Sequence, residues 1–352
     1  MRWAILGTGA ISARFAAGLR FVPGARATLV ASREQASAQR FATAHGIPTA
    51  VAGYDASAIA AAADIAYIAT PTGLHAAHAI ACLEAGCHVL VEKPLAATHA
   101  EAVGIAETAR ARGLFAMEGL WTRFLPATHA LKEEAERLGG ALVLHGHFAF
   151  ANAPEPDRPV FRPDLGGGAL GQYGVYPLAL AQFLAGPAES LHATGRLAET
   201  GVDASVALSL GYRSGAIGSF FCSLETSSDT GFSAHCRSGR VALTGPIYRP
   251  AGIRVAHVAP RRAEAAGGGG GLKARLRNAA PADRLVQALQ HRKGPAGRAR
   301  AIPHTGNGYN LEAAEAEARI AAGATESPLM PLADSLELAA LLDQARAQVH
   351  SR

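Results

Sequence analysis

The first twelve residues narrow the fold most sharply. The apolar run Trp3-Ala4-Ile5-Leu6 breaks at Gly7-Thr8-Gly9, and Ala10-Ile11-Ser12 opens a stretch of helical composition reaching about Leu19. A buried strand, a glycine turn and a helix in that order begin a βαβ unit, whose helix N-terminus offers free N–H groups to a pyrophosphate. Ser12 stands at the third position of G-x-G-x-x-G, where a small residue is accommodated, so the motif gains weight only from its context. That context is present, because Ala27 to Ala31 reads as the second strand at the spacing of a βαβ unit.

An NAD site places Asp or Glu at the end of this second strand to hold the ribose 2′-hydroxyl. Here the chain reads Ala31-Ser32-Arg33. A hydroxyl followed by a guanidinium suits a 2′-phosphate, because Arg meets phosphate with charge and a fixed fork of donors, so NADP is favoured over NAD. Ser32 with Gln35 also fits a helix capping box.

The alternation of strands and helices continues. Helices are expected over Glu34 to His45 and Asp55 to Ala63, then a strand from Ile65 to Ala69 with the turn Thr70-Pro71-Thr72, and a helix from Leu74 to Ala85. The strand His88 to Val91 ends in Glu92-Lys93-Pro94, which places Lys93 at the carboxyl edge of a parallel sheet, where ligands bind. Thr98 with Glu101 is a capping box for a helix to about Arg112. Leu114 to Met117 is a further strand. This rhythm means a doubly wound α/β sheet, a Rossmann domain over 1–122.

From about Arg123 the rhythm changes. A helix over Ala127 to Leu138 and a strand over Ala141 to Ala149 precede a proline-rich loop from Ala153 to Pro163. Gly166-Gly167-Gly168 then opens a helix to about Leu184, on which Gln172 and Tyr176, four apart, share a face. Closely spaced strands follow between Ser190 and Thr244, and helices over Leu311 to Ala322 and Asp334 to Val349 close the chain. The expectation for 123–352 is an α+β domain with an open, mostly antiparallel sheet.

Bulk properties exclude several classes. Of 352 residues, 49% are hydrophobic and 17% charged, a globular and not a disordered composition. No apolar run reaches a membrane span, and the first strand begins too early to leave room for a signal peptide, so a cytoplasmic protein is expected. Cys82, Cys87, Cys222 and Cys236 show no C-x-x-C or metal-ligand spacing, so neither disulfides nor metal are expected. The net charge of +5 is concentrated in a basic insertion at about 259–301. Its glycine run from Gly267 to Gly271 and lack of a strand pattern mark an insertion, partly helical around Arg284 to His291, and not a nucleic-acid reader.

Taken together, Gly7-Thr8-Gly9-Ala10-Ile11, Thr70-Pro71, His75, Glu92-Lys93-Pro94 and Trp121-Thr122-Arg123-Phe124 resemble the Gfo/Idh/MocA oxidoreductases. The Trp121 run, with Gly113-Leu114-Phe115 and Met117-Glu118, is similar to the branch holding dimeric dihydrodiol dehydrogenase and NADP-dependent D-xylose dehydrogenase. The resemblance implies hydride transfer between NADP and a carbinol or carbonyl carbon of a sugar-like or dihydrodiol-like substrate, in a homodimer or larger homo-oligomer. It implies that Pro94 follows a cis peptide and that Lys93 lies beside the nicotinamide, lowering the pKa of Tyr176, the general acid or base. Trp121 and Arg123 would wall the pocket, and the remaining matched residues, with Ser32, Arg33 and Glu92, would line the cofactor. The family pattern has Asp where this chain has Gln172, which cannot ionise. Gln172 would then orient a substrate hydroxyl. The alternative is a protein that keeps the cofactor but has weakened catalysis and serves in NADP or partner binding.

Overall fold

A computed structural model describes residues 1–258 and 297–351. The expected helix around Arg284 to His291 lies outside the described residues. The first part alternates β1 (Arg2–Leu6), α1 (Ala10–Leu19), β2 (Arg26–Ser32), α2 (Gln35–His45), β3 (Thr49–Ala52), α3 (Ala56–Ala62), β4 (Ile65–Ile68), α4 (His75–Glu84), β5 (His88–Glu92), α5 (His99–Arg112) and β6 (Ala116–Gly119). Its parallel sheet runs in the order β3-β2-β1-β4-β5-β6, the doubly wound Rossmann order.

Alternation along β1 shows why the sheet is covered on both faces. Trp3 and Ile5 enter one buried cluster with Phe15 of α1, whereas Ala4 and Leu6 enter another with residues of α3, α4 and α5. The central strands β1, β4 and β5 are therefore apolar almost throughout, as in a parallel sheet buried on both sides. The order in which successive strands are added reverses between β1 and β4, the switch point at which such sheets bind ligands. Gly7 sits at that point with φ +104°, and a Cβ there would stand 2.5 Å from the Ala69 carbonyl oxygen, so only glycine fits. The predicted capping box of α5 is present, with Thr98 and Glu101 reciprocally bonded.

The second part contains α6 (Pro126–Arg137), β7 (Ala141–Ala149), a π-helical turn (Leu170–Gly174) running into α7 (Val175–Ala185), β8 (Ala188–Leu197), β9 (Asp203–Tyr212), β10 (Ile217–Ser223), β11 (Gly231–Cys236), β12 (Gly239–Thr244), β13 (Gly252–His257), β14 (Arg298–Ala301), α8 (Tyr309–Ala321) and α9 (Leu332–His350). The sheet order is β14-β13-β12-β11-β7-β10-β9-β8, antiparallel except for the β7/β10 pair. Helices α6, α7 and α9 lie against this sheet, α8 packs on α1, and α9 reaches back to α5. The opposite sheet face, carrying His145, Ser219 and Ile217, bears no helix among the described residues.

Three strands escape the sequence pattern. β3 is a short, half-exposed edge strand rich in alanine, and β13 follows a proline-punctuated loop. β14 lies inside the segment read as strandless, because Arg298-Ala299-Arg300-Ala301 pairs with β13 as a fully exposed edge. Charged edges of this kind carry no hydrophobic period to detect. Helix α9 begins at Leu332, so Asp334 lies within its first turn and is used elsewhere.

Candidate active site

The loop after β1 forms an anion cradle. Gly9 is the N-cap of α1, and a Cβ on it would meet nothing within 4 Å, leaving the approach to the N–H groups of Ala10, Ile11 and Ser12 open. Ser12 is fully buried, and its hydroxyl has no hydrogen-bond partner among the described residues. At the end of β2, Ser32 Oγ lies 3.4 Å from Thr8 Oγ1. Ser32 does not cap α2, since the N-cap is Glu34 and no side chain caps it, so the capping role is not realised. Arg33 is exposed and forms no ion pair with a carboxylate among the described residues. An open glycine approach, an orphaned buried hydroxyl and a guanidinium without a carboxylate partner among the described residues fit the phosphate groups of an NAD(P) dinucleotide.

At the neighbouring strand ends, buried His75 sits between two loops. Its Nε2 lies 2.9 Å from the Thr70 carbonyl oxygen and its Nδ1 lies 3.0 Å from that of Pro94. Burial pulls the imidazole down to about 4 against these two carbonyls. The neutral ring has one N–H and donates to one of the two carbonyls while its other nitrogen packs against the second, so His75 fills the space between the Thr70-Pro71 turn and Lys93-Pro94, whose peptide bond is cis. His75 therefore shapes the site from behind.

Lys93, half-buried, donates from Nζ to the backbone carbonyl of Gln172 at 3.0 Å and sits 5.1 Å from the centre of the Tyr176 ring. The π-helical turn brings the Gln172 carbonyl to this position. Gln172 thus meets Lys93 through its main chain, while its side chain makes no hydrogen bond among the described residues. Burial lowers the Lys93 pKa, opposed by Glu92 and Glu118. Tyr176 is also buried, and burial, then Glu92, push its hydroxyl above the usual phenol range. The Trp121 indole N–H faces that hydroxyl and acts against the rise, without reaching hydrogen-bond geometry. The Lys93 ammonium lies over the ring face and not at the hydroxyl, so burial, then Glu92, outweigh any lowering of the Tyr176 pKa by the lysine in this structure. Tyr176 is thereby held as a neutral phenol.

Trp121 stacks on Tyr309 with ring centres 4.8 Å apart, and the pair walls a cleft of about 420 Å³ together with Arg14, Tyr248, Arg249 and Asn307. Gly308 makes the stack possible, because a Cβ there would stand 2.5 Å from the indole. Arg123, expected beside Trp121 in this wall, points elsewhere. It is buried, its Nη1 pairs with Asp334 at 3.1 Å, and its guanidinium covers Phe183 at 4.6 Å. Consecutive residues of the short Trp121–Phe124 helical turn face different sides, which separates the two.

Glu118, at the end of β6, is buried and accepts from the Leu95 N–H at 3.0 Å. Burial raises its carboxyl from 4.5 to about 7. Folded, it keeps its proton to about that pH, whereas the unfolded chain releases it near 4.5, so its contribution to stability is complete below 4.5 and lost as pH rises through about 7. Replacing Glu118 by Gln keeps an acceptor for Leu95. Urea unfolding should show the loss of stability between about pH 5 and pH 8 shrinking by roughly 3 kcal/mol in this variant. An unchanged pH dependence would mean that Glu118 is ionised throughout.

Sequence reading missed Tyr67, Tyr309 and Glu312, which surround this site. Tyr67 lies within β4 and reads as an ordinary core residue, while Tyr309 and Glu312 lie in a helix rich in Ala and Glu. No spacing sets them apart from neighbours such as Glu315.

A dinucleotide cradle, a lysine after the fifth parallel strand and a tyrosine from the second sheet domain define an NAD(P)-binding two-domain architecture. The family model for oxidoreductases with an NAD-binding Rossmann fold matches residues 1–120, and the GFO/IDH/MocA C-terminal domain model matches 132–242. The chain is 31% identical over 358 residues to trans-1,2-dihydrobenzene-1,2-diol dehydrogenase of Bos taurus, covering 99% of this chain and 97% of that protein. The chain belongs to the Gfo/Idh/MocA oxidoreductase family. Among solved structures, it is similar to a 3-ketoreductase from Actinomadura kijaniata in complex with NADP and TDP-benzene, with TM-score 0.79 and 23% identity over 99% of this chain and 98% of that one. It is also similar to levoglucosan dehydrogenase in complex with NADH and levoglucosan, with TM-score 0.78 and 21% identity over 100% and 97% of the two chains. Among the described residues no helix is long and apolar enough to cross a membrane.

Proposed function

We propose that the protein is an NADP-dependent dehydrogenase or reductase that moves hydride between nicotinamide and a carbinol or carbonyl carbon of a sugar-like or dihydrodiol-like substrate. The observation that carries this reading is the convergence of Lys93, from the Rossmann sheet, on Tyr176, from the second domain, at 5.1 Å. NADP supplies the hydride chemistry when bound. Gly7, Thr8, Gly9, Ala10 and Ile11 cradle its pyrophosphate, and Ser32 and Arg33 receive the 2′-phosphate. Thr70, Pro71, His75 and Glu92 shape the floor on which Lys93 stands. Tyr176 gives its proton to the oxygen of a carbonyl being reduced, and takes the same proton back in oxidation. Lys93 adds positive charge near that oxygen, and Trp121 shields the face of the cleft from water. The Gln172 side chain, without a hydrogen-bond partner among the described residues, is available to a substrate hydroxyl.

Arg33 tests the cofactor preference. Arg33→Ala should weaken NADP binding by about 10- to 100-fold, the worth of a charge-assisted hydrogen bond, and leave NAD binding unchanged. Fluorescence titration with both nucleotides measures this, and equal losses for NAD and NADP would reject the assignment. The diol named for the Bos taurus relative and the sugar named for the levoglucosan enzyme support a polyhydroxylated substrate. The uncovered sheet face, with Ile217 57% exposed, supports a homodimer formed through it. Four free cysteines support a cytoplasmic setting.

Gln172 motivates a second reading, in which the cofactor is kept and catalysis is weakened. Gln172→Asp separates the two: an active parent supports the enzyme, whereas an inactive parent with an active variant supports the weakened form.

A further inference from the structure

Behind Lys93 lies a carboxyl group that the reaction above does not use. Glu312 of α8 is fully buried, and neither of its oxygens has a hydrogen-bond partner among the described residues. It ends beside Gly119, where a Cβ would stand 3.6 Å from Glu312 Oε2 and 3.5 Å from Glu92 Cα. The β5/β6 register pairs Glu92 with Gly119, so the Glu312 carboxyl comes up beside the residue that neighbours Glu92 across the sheet. Glu92 accepts from the Tyr67 hydroxyl through Oε1 and from the Lys93 backbone N–H, at 3.2 Å, through Oε2.

Tyr67 from β4 and the Lys93 backbone beyond β5 donate to Glu92, while the charges of both glutamates reach Tyr67, Tyr176 of α7 and Tyr309 of α8 itself, the last two also feeling Arg14 from α1. Lys93 and Glu92 attract each other, but the charge that bears on Glu312 is that of Glu92 alone. Two carboxylates in one dry space do not both ionise near neutral pH. Burial and mutual repulsion both oppose a second negative charge.

We propose that Glu312 and Glu92 act as a single acid, holding one proton between them, and that this pair sets the charge facing Tyr176 in place of the family carboxylate missing at Gln172. The proposal rests on Tyr176 being the acid of the reaction, and Glu312 is a positioning residue that acts through it. Losing the shared proton at high pH adds a second negative charge behind Tyr176 and makes its hydroxyl harder to ionise.

The test begins without catalysis. In the full-length protein with carbon-13 label in its glutamate carboxyls, the NMR spectrum at about pH 8, above the Glu118 transition, should retain one protonated glutamate carboxyl. Glu118→Gln should leave that signal in place and Glu312→Gln should remove it, while Glu312→Asp, observed with carbon-13 label in its aspartate carboxyls as well, should restore a protonated carboxyl. A signal absent from the parent, or one that survives in Glu312→Gln, overturns the pair. The second readout is the kcat/KM pH profile with NADP, in which Glu312→Gln should abolish an ionisation that Glu312→Asp retains. Profiles that superimpose would remove the link to Tyr176. The NMR result stands whether or not the protein oxidises a sugar, so failure of the pair and failure of the dehydrogenase reading are distinguishable.

Discussion

Tyr176→Phe should lower kcat by about 10²- to 10⁴-fold, the usual worth of a positioned proton donor, and leave NADP affinity nearly unchanged. Tyr176 is buried against Phe148, at 5.2 Å between ring centres, so removing only the hydroxyl preserves the packing. Lys93→Met should cost a comparable factor, because it deletes the cation over the ring and the hydrogen bond to the Gln172 carbonyl. Combining the two changes should cost much less than the product of the single losses, as expected for residues acting as a unit. Steady-state kinetics with fluorescence titration of NADP measures all three variants. Undiminished kcat in either single variant would remove that residue from the reaction.

The second large effect concerns stability. Arg123→Met should destabilise the fold by about 3 kcal/mol, because removing one partner of a buried ion pair leaves the other uncompensated. Asp334 keeps some contact with water, its side chain being 29% exposed, which holds the loss near the lower end of that class. Urea unfolding reads the loss, and kcat/KM should stay within about twofold, since Arg123 faces Phe183 and Asp334 and not the cleft. A stable variant with a raised KM would return Arg123 to the pocket wall.

Much of the fold follows from local chemistry in the chain. The Gly7 turn, the capping box at Thr98 and Glu101 and the alternation of apolar runs with helices each act within a few residues, so one sequence exposes them. Part of the site is equally legible, because Lys93 ends a strand whose edge position follows from the Rossmann order. The rest depends on distant segments. Arg123 and Trp121 lie two residues apart, and only the position of Asp334 in α9 explains why they serve different purposes. Lys93 reaches Gln172 through a backbone carbonyl, an atom that no residue identity encodes. Glu312 comes beside Gly119 only because α8 packs on α1 and on the Trp121 turn. Edge strands such as Arg298–Ala301 stay hidden because solvent on both faces erases the alternation on which strand recognition rests.

The most direct measurement mixes the purified protein with NADP and a panel of aldoses, inositols and vicinal diols, and follows the near-ultraviolet absorbance of the reduced cofactor. Reduced NADP should form with at least one polyhydroxylated substrate and vanish in Tyr176→Phe. Tight NADP binding with no reduction across the panel, and no oxidation of NADPH by the corresponding carbonyl compounds, would contradict the assignment of the Lys93 and Tyr176 centre to hydride transfer.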